Sequence, residues 1–270
     1  MRLGTRRSTT AALRTTVPHQ RTAPGSPPGA RDSAMLRIGA VAGLTGLLLQ
    51  VVMGRLHPSH ADPNDSRAAF TEYAHSGTWT AVHIGQFLGT LLLALALLAL
   101  ARALSRQPGL PGALAVVGAV TALLLAAVFT VQMAVDGVAL RAAIDTWTRA
   151  PAGPARTSAF LVAEGLRGLE KGLSAFFHLT NGLTLVSLGL SVALGHLYAR
   201  WLGWVAVLAG LAFLVGGWVT AHSGFSPEAG RFLTPALLLL AVFVIGACVS
   251  MWRRANPDLA RSRDRARPAA

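Results

Sequence analysis

The sequence has few of the features that stabilise or charge a soluble protein. Its single cysteine, Cys248, excludes an intrachain disulfide and every metal site that needs two cysteines. Charged residues make up 13% of the chain, whereas they make up about a quarter of an average soluble domain. The chain also lacks a glycine-rich phosphate loop, a G-x-S-x-G nucleophile motif and other known catalytic signatures. No reaction can be assigned from these residues, and we expect a non-enzymatic role rather than an enzyme.

Long apolar runs dominate what is present. Hydrophobic residues account for 53% of the 270 residues, and the mean hydropathy is +0.51. Repeated runs of this length each need an apolar solvent, so they indicate several membrane spans rather than a soluble core with one anchor. The sequence therefore predicts an all-α, polytopic membrane helix bundle with six transmembrane helices. The predicted spans are 36–55, 79–101, 112–135, 158–197, 201–221 and 232–252.

Both ends of the chain differ in composition from its centre. Residues 1–34 are rich in Arg, Thr and Pro and predict a disordered basic tail, and 253–270 predict a second, cytoplasmic one. Between them, 35–252 form the predicted six-helix transmembrane domain. Met35 opens a compact apolar segment typical of a natural start, so the first tail could lie upstream of the true start.

The first span has two interpretations. Ser59 and Ala61 have the spacing that a signal peptidase prefers, which would make the span a cleaved signal. Arg55 and a small-xxx-small pattern favour a retained helix instead. Such patterns let helix backbones approach closely, and we expect three of them at helix contacts: Gly39/Gly43, Gly85/Gly89 and Gly168/Gly172.

The fourth predicted helix is too long for one crossing. At about 1.5 Å per residue, 158–197 exceeds the ~30 Å hydrocarbon core. The pattern predicts a long extracytoplasmic extension on helix four, which projects from or lies along the surface, and in which 161–171 is an amphipathic segment whose charges need no special role. Residues 137–160 before it are predicted to be the longest connection, broken at Pro151 and Pro154.

Charge indicates the orientation and the partners. The net charge is +13, and the two tails with the short loops on their side hold most of the 24 Lys and Arg residues. A basic tail beside a span is a topology signal and contacts anionic lipid, so we expect the lipid bilayer as partner and no nucleic acid. The prediction is a bacterial plasma membrane protein with both termini cytoplasmic.

With this orientation, the polar residues of several spans converge near the outer face. Spans two and four each place a histidine three residues before a side-chain amide, and both helices run from outside to inside. The polar stripe at the start of span four would be costly if it faced lipid. We therefore predict an outward-facing pocket for a small ligand, an ion or a proton. Its expected residues are His83, Gln86, Asp136, His178, Asn181 and His222.

Three other interpretations of these histidines remain open. His83 and His178 at one depth could ligate haem b. His57, His60 and Asp62 are weak candidates for a Zn²⁺ site that activates water. Alternatively, the histidines only hydrogen-bond within the bundle. Asp136 either lies in the headgroup layer or pairs with a histidine or lysine. No cofactor is predicted, and haem b and Zn²⁺ belong to the alternative in which the same histidines serve a redox or hydrolytic enzyme.

Five segments of the chain carry a resemblance to known sequences: LHPSHADPNDSRAAFTEYAHSGTWTAVHIGQFLG, VDGVAL, LEKGLSAFFHLTNGLT, RWLGWVAVLAG and AHSGFSPEAG. They resemble an uncharacterised family of small bacterial six-span integral membrane proteins of unknown function. The resemblance covers about 35–252 and leaves out both tails. It implies six spans but no catalytic residues, substrate or mechanism.

Overall fold

The computed structural model describes residues 29–257, and this part of the chain is helical without any strand. The predicted tails therefore lie outside the described residues except at their inner edges. Six helices are long and apolar enough to cross a membrane, which confirms the predicted all-α polytopic bundle. The helices are α1 (Ala30–Leu56), α2 (Ser66–Ala74), α3 (Trp79–Leu104), α4 (Leu110–Ala134), α5 (Arg141–Arg149), α6 (Pro154–Leu194), α7 (Arg200–Ser223) and α8 (Pro227–Ala255).

The two ends of the described chain lie on the same face of the bundle. The Arg37 guanidinium donates to the carbonyl oxygen of Ala255 at the end of α8 (3.2 Å). Asp32, in the first turn of α1, pairs with Arg106 in the loop between α3 and α4. Residues 30–34, predicted to belong to a disordered tail, are thus part of α1 and make a defined ion pair.

The predicted connection at 137–160 is wrong for most of its length. The third membrane helix continues from α4 through a π-helical segment, Val135–Leu140, into α5. Arg141 and Arg149 both pair with Asp145 at i,i+4 spacing, which favours helix in this polar stretch. Only 150–153 interrupts the two long helices, where Gly153 adopts a positive φ of 108° and Pro154 opens α6.

A small second core lies at one end of the bundle, apart from the membrane helices' own core. It joins α2, α5 and the first half of α6 around Phe70, Tyr73, Ile144 and Trp147. We call α2, the π-helical segment, α5 and residues 154–171 of α6 the cap. The expectation that the charges of 161–171 have no special role is wrong, because Arg167 and Glu170 are buried and Arg167 donates to the Tyr73 hydroxyl of α2. Likewise the first predicted loop contains α2, whose N-cap is the Asp65 carboxylate.

Glycines set the tightest helix contacts in the membrane. A Cβ at Gly39 would lie 2.5 Å from the Cβ of Ala99, and one at Gly85 would lie 2.6 Å from Met53. The first two predicted small-residue pairs therefore do lie at helix contacts. The third, Gly168/Gly172, does not, since no atom lies within 4 Å of a Cβ built at either glycine.

The closest approach, between α6 and α7, was missed by the sequence analysis. A Cβ on Gly203 would lie 2.4 Å from the backbone nitrogen of Ala193 and 2.5 Å from the Gly189 carbonyl oxygen. Gly182 and Gly210 meet in the same way, each with the other's carbonyl oxygen 2.7 Å from an added Cβ. Backbone atoms cannot give way as a flexible side chain can, so any larger residue must separate these two helices.

We expect Gly203→Ala to destabilise the protein by about 1–3 kcal/mol, the usual cost of overpacking. The matched substitution Gly168→Ala should be neutral or stabilising by about 0.5–1 kcal/mol, because it removes a glycine from an open helical position. The difference in stability is measured by unfolding both variants in detergent while the helical circular dichroism signal is monitored. Equal midpoints for the two variants would contradict the predicted backbone contact between α6 and α7.

Candidate functional site

The π-helical segment brings the end of the third membrane helix against the start of α3. In the wider turn of a π-helix, carbonyl oxygens can accept hydrogen bonds from outside the helix. The Trp79 indole nitrogen donates to the Asp136 carbonyl oxygen (3.1 Å), and the Thr80 hydroxyl donates to that of Gly137 (3.2 Å). A Cβ at Gly137 would lie 2.5 Å from the Cβ of His83. Glycine at this position therefore allows the two helices to bring His83 and Asp136 together.

His83 and Asp136 form a buried hydrogen-bonded pair. Nε2 of His83 lies 2.9 Å from Oδ2 of Asp136, and both side chains are almost fully enclosed. Nδ1 of His83 lies 2.7 Å from the carbonyl oxygen of Trp79, which only accepts, so Nδ1 carries a hydrogen. One further proton therefore lies between Nε2 and Oδ2. The other carboxylate oxygen, Oδ1, is buried with no hydrogen-bond partner among the described residues.

His57 completes this group from the end of α1. Its half-buried ring lies 5.2 Å from the His83 ring and 5.1 Å from the Trp79 ring, centroid to centroid. Nδ1 of His57 donates to the carbonyl oxygen of Pro58 (2.7 Å), which leaves the Nε2 lone pair free. Burial, followed by the nearby His83, lowers the pKa of His57, so its imidazole is neutral near pH 7. We call His57, His83 and Asp136 the histidine–aspartate cluster.

A buried ion pair borders the cluster on the side of the cap. Arg167 donates to Glu170 one turn along α6 (2.5 Å), to the Pro63 carbonyl oxygen (3.0 Å) and to the Tyr73 hydroxyl (3.1 Å). Burial raises the pKa of Tyr73 to about 12, so its phenol stays neutral. Arg167 thus ties together α6, α2 and the loop between α1 and α2.

The loop that carries His57 is held at both sides. The Asn64 side chain donates to the Ser223 carbonyl oxygen (3.3 Å) and accepts from the Phe225 amide (3.2 Å), which fixes the loop to the turn between α7 and α8. On the other side, the Arg141 guanidinium donates to the carbonyl oxygens of Tyr73 (2.7 Å) and Ser76 (2.8 Å) at the end of α2. These contacts position the loop over the bundle end and hold His57 near the other two side chains.

Only two of the six residues of the predicted pocket belong to the histidine–aspartate cluster. Asp136 pairs with His83, as one of the two interpretations from the sequence expected. The half-buried His178 ring instead stacks with Phe213 of α7 (5.9 Å), and its Nδ1 is buried without a hydrogen-bond partner in the described chain. The His178 ring thus faces α7, and its convergence with His83 and Asp136 stays a prediction.

The other predicted pocket residues also lie outside the cluster. The exposed His222 lies beside Trp218 and donates to its carbonyl oxygen (2.8 Å). Gln86 is half-buried, and its backbone carbonyl accepts from Gln50 (2.8 Å). Asn181 is buried on α6, three residues after His178. The shared pocket inferred from the repeated histidine–amide spacing in spans two and four stays a prediction.

The weak Zn²⁺ candidates are separated in a similar way. The His60 side chain is 97% exposed and pairs with Glu72 (3.0 Å). The exposed Asp62 accepts from the backbone amide of Asn64. Only His57 of these three joins the histidine–aspartate cluster. The sequence analysis did not foresee the buried roles of Arg167, Glu170, Tyr73 and Trp79, although the polar stripe that contains Arg167 marked the correct helix face.

The fold and the cluster define a polytopic helical membrane protein with ionisable side chains buried at one end of the bundle. Comparison of this chain with protein-family models, with curated proteins and with solved structures gives no match. Its function is therefore argued from its own residues and their geometry.

We expect Arg167→Met to destabilise the protein by roughly 3–5 kcal/mol, because it leaves the Glu170 carboxylate buried without its partner. The double substitution Arg167→Met with Glu170→Leu should recover a large part of that loss, because both charges are then removed. Denaturant titration of both variants against the parent chain measures the coupling between the two residues.

Arg149→Met is the matched control in the same cap. The Arg149 side chain is 80% exposed and pairs with Asp145, so its loss should cost less than about 1 kcal/mol. A loss at Arg167 no greater than the loss at Arg149 would contradict a structural role for the buried pair.

Proposed function

We propose that this integral membrane protein binds a small cation at the histidine–aspartate cluster, under the cap. The observation that carries the proposal is the Asp136 carboxylate, which is buried with one oxygen unpartnered beside two imidazole rings. A buried carboxylate is stable only when it is hydrogen-bonded and neutralised. A polar residue at the end of a membrane span that faces protein instead of lipid is by default a functional candidate.

The formal charges around Asp136 support a cationic ligand. Arg167 is matched by Glu170 at hydrogen-bond distance, so this pair contributes no net charge. The proton that His83 and Asp136 share is then the positive charge that offsets the Asp136 carboxylate. Another cation that replaces this proton keeps the carboxylate neutralised, and the unpartnered Oδ1 offers that cation a second carboxylate oxygen.

The sidedness of this site is part of the proposal. We propose a bacterial plasma membrane, both termini cytoplasmic and the cap on the extracytoplasmic side, with the lipid bilayer as the surrounding partner. The concentration of arginine in the two tails and in the loops on their side supports this orientation. The common face of the two ends, at Arg37 and Ala255, is consistent with it.

The alternative is a redox or hydrolytic enzyme that uses the same histidines. The version with haem b as its cofactor receives little support. Haem b held by His83 and His178 would need two rings that face each other across a porphyrin. The His178 ring stacks on Phe213, whereas the His83 ring lies against Trp79 and His57. We therefore propose cation binding without assigning a reaction.

We expect cations that bind the cluster to raise the denaturation midpoint of the chelator-treated protein, and Asp136→Asn to abolish that rise. A ligand at 100 times its dissociation constant stabilises by about 2.7 kcal/mol, which a denaturation curve resolves readily. The panel should include Zn²⁺, Mn²⁺, Mg²⁺, Na⁺ and protonated ethanolamine, because these differ in size and ligand preference.

Asp62→Asn is the matched control, since it makes the same chemical change at an exposed residue near the cap. It should leave every cation response intact. If no cation stabilises the parent chain, or if Asp136→Asn responds as the parent does, the proposed function is wrong.

The orientation predicts a labelling pattern. In a Cys248→Ala background, a cysteine introduced as Gly168→Cys in the exposed part of the cap should react with a membrane-impermeant maleimide in intact cells. One introduced as Ser105→Cys in the α3–α4 loop should react only after permeabilisation. The reverse pattern would place the cap in the cytoplasm and overturn the proposed sidedness.

A further inference from the structure

We infer that the histidine–aspartate cluster is a binding site for a divalent first-row transition-metal ion, with His57, His83 and Asp136 as its protein ligands. The inference rests on the proposed cation site and names the class of cation. The ligand atoms of the three residues all lie within 4.8 Å of one another, and His83 and Asp136 are buried. Two imidazoles with one carboxylate are the donor set of several zinc and non-haem iron centres.

The hydrogen bonds around the rings favour metal ligation. Imidazoles that bind a metal usually donate their second N–H to a carbonyl or carboxylate, which fixes the tautomer and the ring orientation. Nδ1 of His57 donates to Pro58, and Nδ1 of His83 donates to Trp79. Nε2 of His57 therefore keeps a free lone pair, and Nε2 of His83 becomes available to a metal once the proton that it shares with Asp136 is released.

The separations also suit a metal ion. Ligands about 2.0–2.1 Å from a tetrahedral Zn²⁺ lie about 3.3 Å from one another. His83 Nε2 and Asp136 Oδ2 are 2.9 Å apart. The ligand atom of His57 lies within 4.8 Å of the other two, so metal binding would draw this side chain closer to His83 and Asp136.

The charges around the cluster are compatible with a divalent ion in place of the proton that His83 and Asp136 share. The metal takes the position of the proton between His83 and Asp136, and that proton is released to solvent. The carboxylate offsets one of the two positive charges, and the paired Arg167 and Glu170 add none. Three protein ligands leave at least one coordination position for water or another small ligand.

No other group of histidine and acidic side chains in the described chain has this arrangement. His60 points to solvent and pairs with Glu72, and His222 contacts its own helix at Trp218. The His178 ring lies near Phe177 of α6 and stacks with Phe213 of α7. These three histidines serve as internal controls, since they share the chain, the membrane and the chemistry of imidazole.

The test uses the full chain, purified in detergent, stripped with a chelator and titrated with Zn²⁺ or Co²⁺. We expect one ion per chain by elemental analysis after equilibrium dialysis, and visible Co²⁺ absorption that reports nitrogen and oxygen ligands. His57→Ala, His83→Gln and Asp136→Asn should each weaken binding at least ~100-fold, the upper end of the effect of outer-shell changes alone. His60→Ala and His222→Ala should bind as the parent does.

Folding is checked separately by size-exclusion profile and by the denaturation midpoint of each metal-free variant. His57→Ala removes a half-buried ring next to a loop and should leave that midpoint nearly unchanged, so its metal affinity is the decisive number. Parent protein that binds no more Zn²⁺ or Co²⁺ than the three ligand variants would overturn the metal site. If Na⁺ or protonated ethanolamine still stabilises the parent through Asp136, the cation site stands without the metal; if no cation does, both are wrong.

Discussion

The buried carboxylate of Asp136 must be neutralised, and the contacts of the π-helical segment and the cap depend on this constraint. Its position follows from the π-helical segment, whose carbonyl oxygens accept from Trp79 and Thr80 and so fix α3 beside it. Gly137 leaves the room that His83 needs. The cap then excludes water from the pair, and in a poorly hydrated site an unpaired charge is far costlier than in solvent.

The cap also explains why the chain can keep polar groups near a membrane bundle. Its Arg167 is bonded to a carboxylate, a phenol and a backbone carbonyl, and its guanidinium lies over the Phe225 ring at 4.9 Å. Each partner comes from a different segment. A charge that is this well coordinated can be buried without unfolding its surroundings, and it joins segments that apolar contact alone would leave in many orientations.

The sequence predicted the six membrane helices because long apolar runs need lipid whatever their neighbours are. It did not predict the cap, because α2 and α5 are short and polar and their burial depends on partners far away in the chain. It also grouped His178 with His83 from equal depth. Depth follows from position along a helix, but the direction of a side chain follows from rotation about the helix axis. Helices that are apolar on all sides carry no periodic signal for that rotation, so only the packed structure separates the two histidines.

The length of α6 has a mechanical consequence. Its 41 residues form one rod of about 60 Å, roughly twice the hydrocarbon thickness. The lower part is clamped to α7 through Gly182 and Gly189, while the upper part carries Arg167 and Glu170. The upper part is also held, because Arg167 donates to the Pro63 carbonyl oxygen and to the Tyr73 hydroxyl. One continuous helix therefore joins the glycine contact with α7 to the buried ion pair of the cap, so neither end of α6 can shift along its axis without the other.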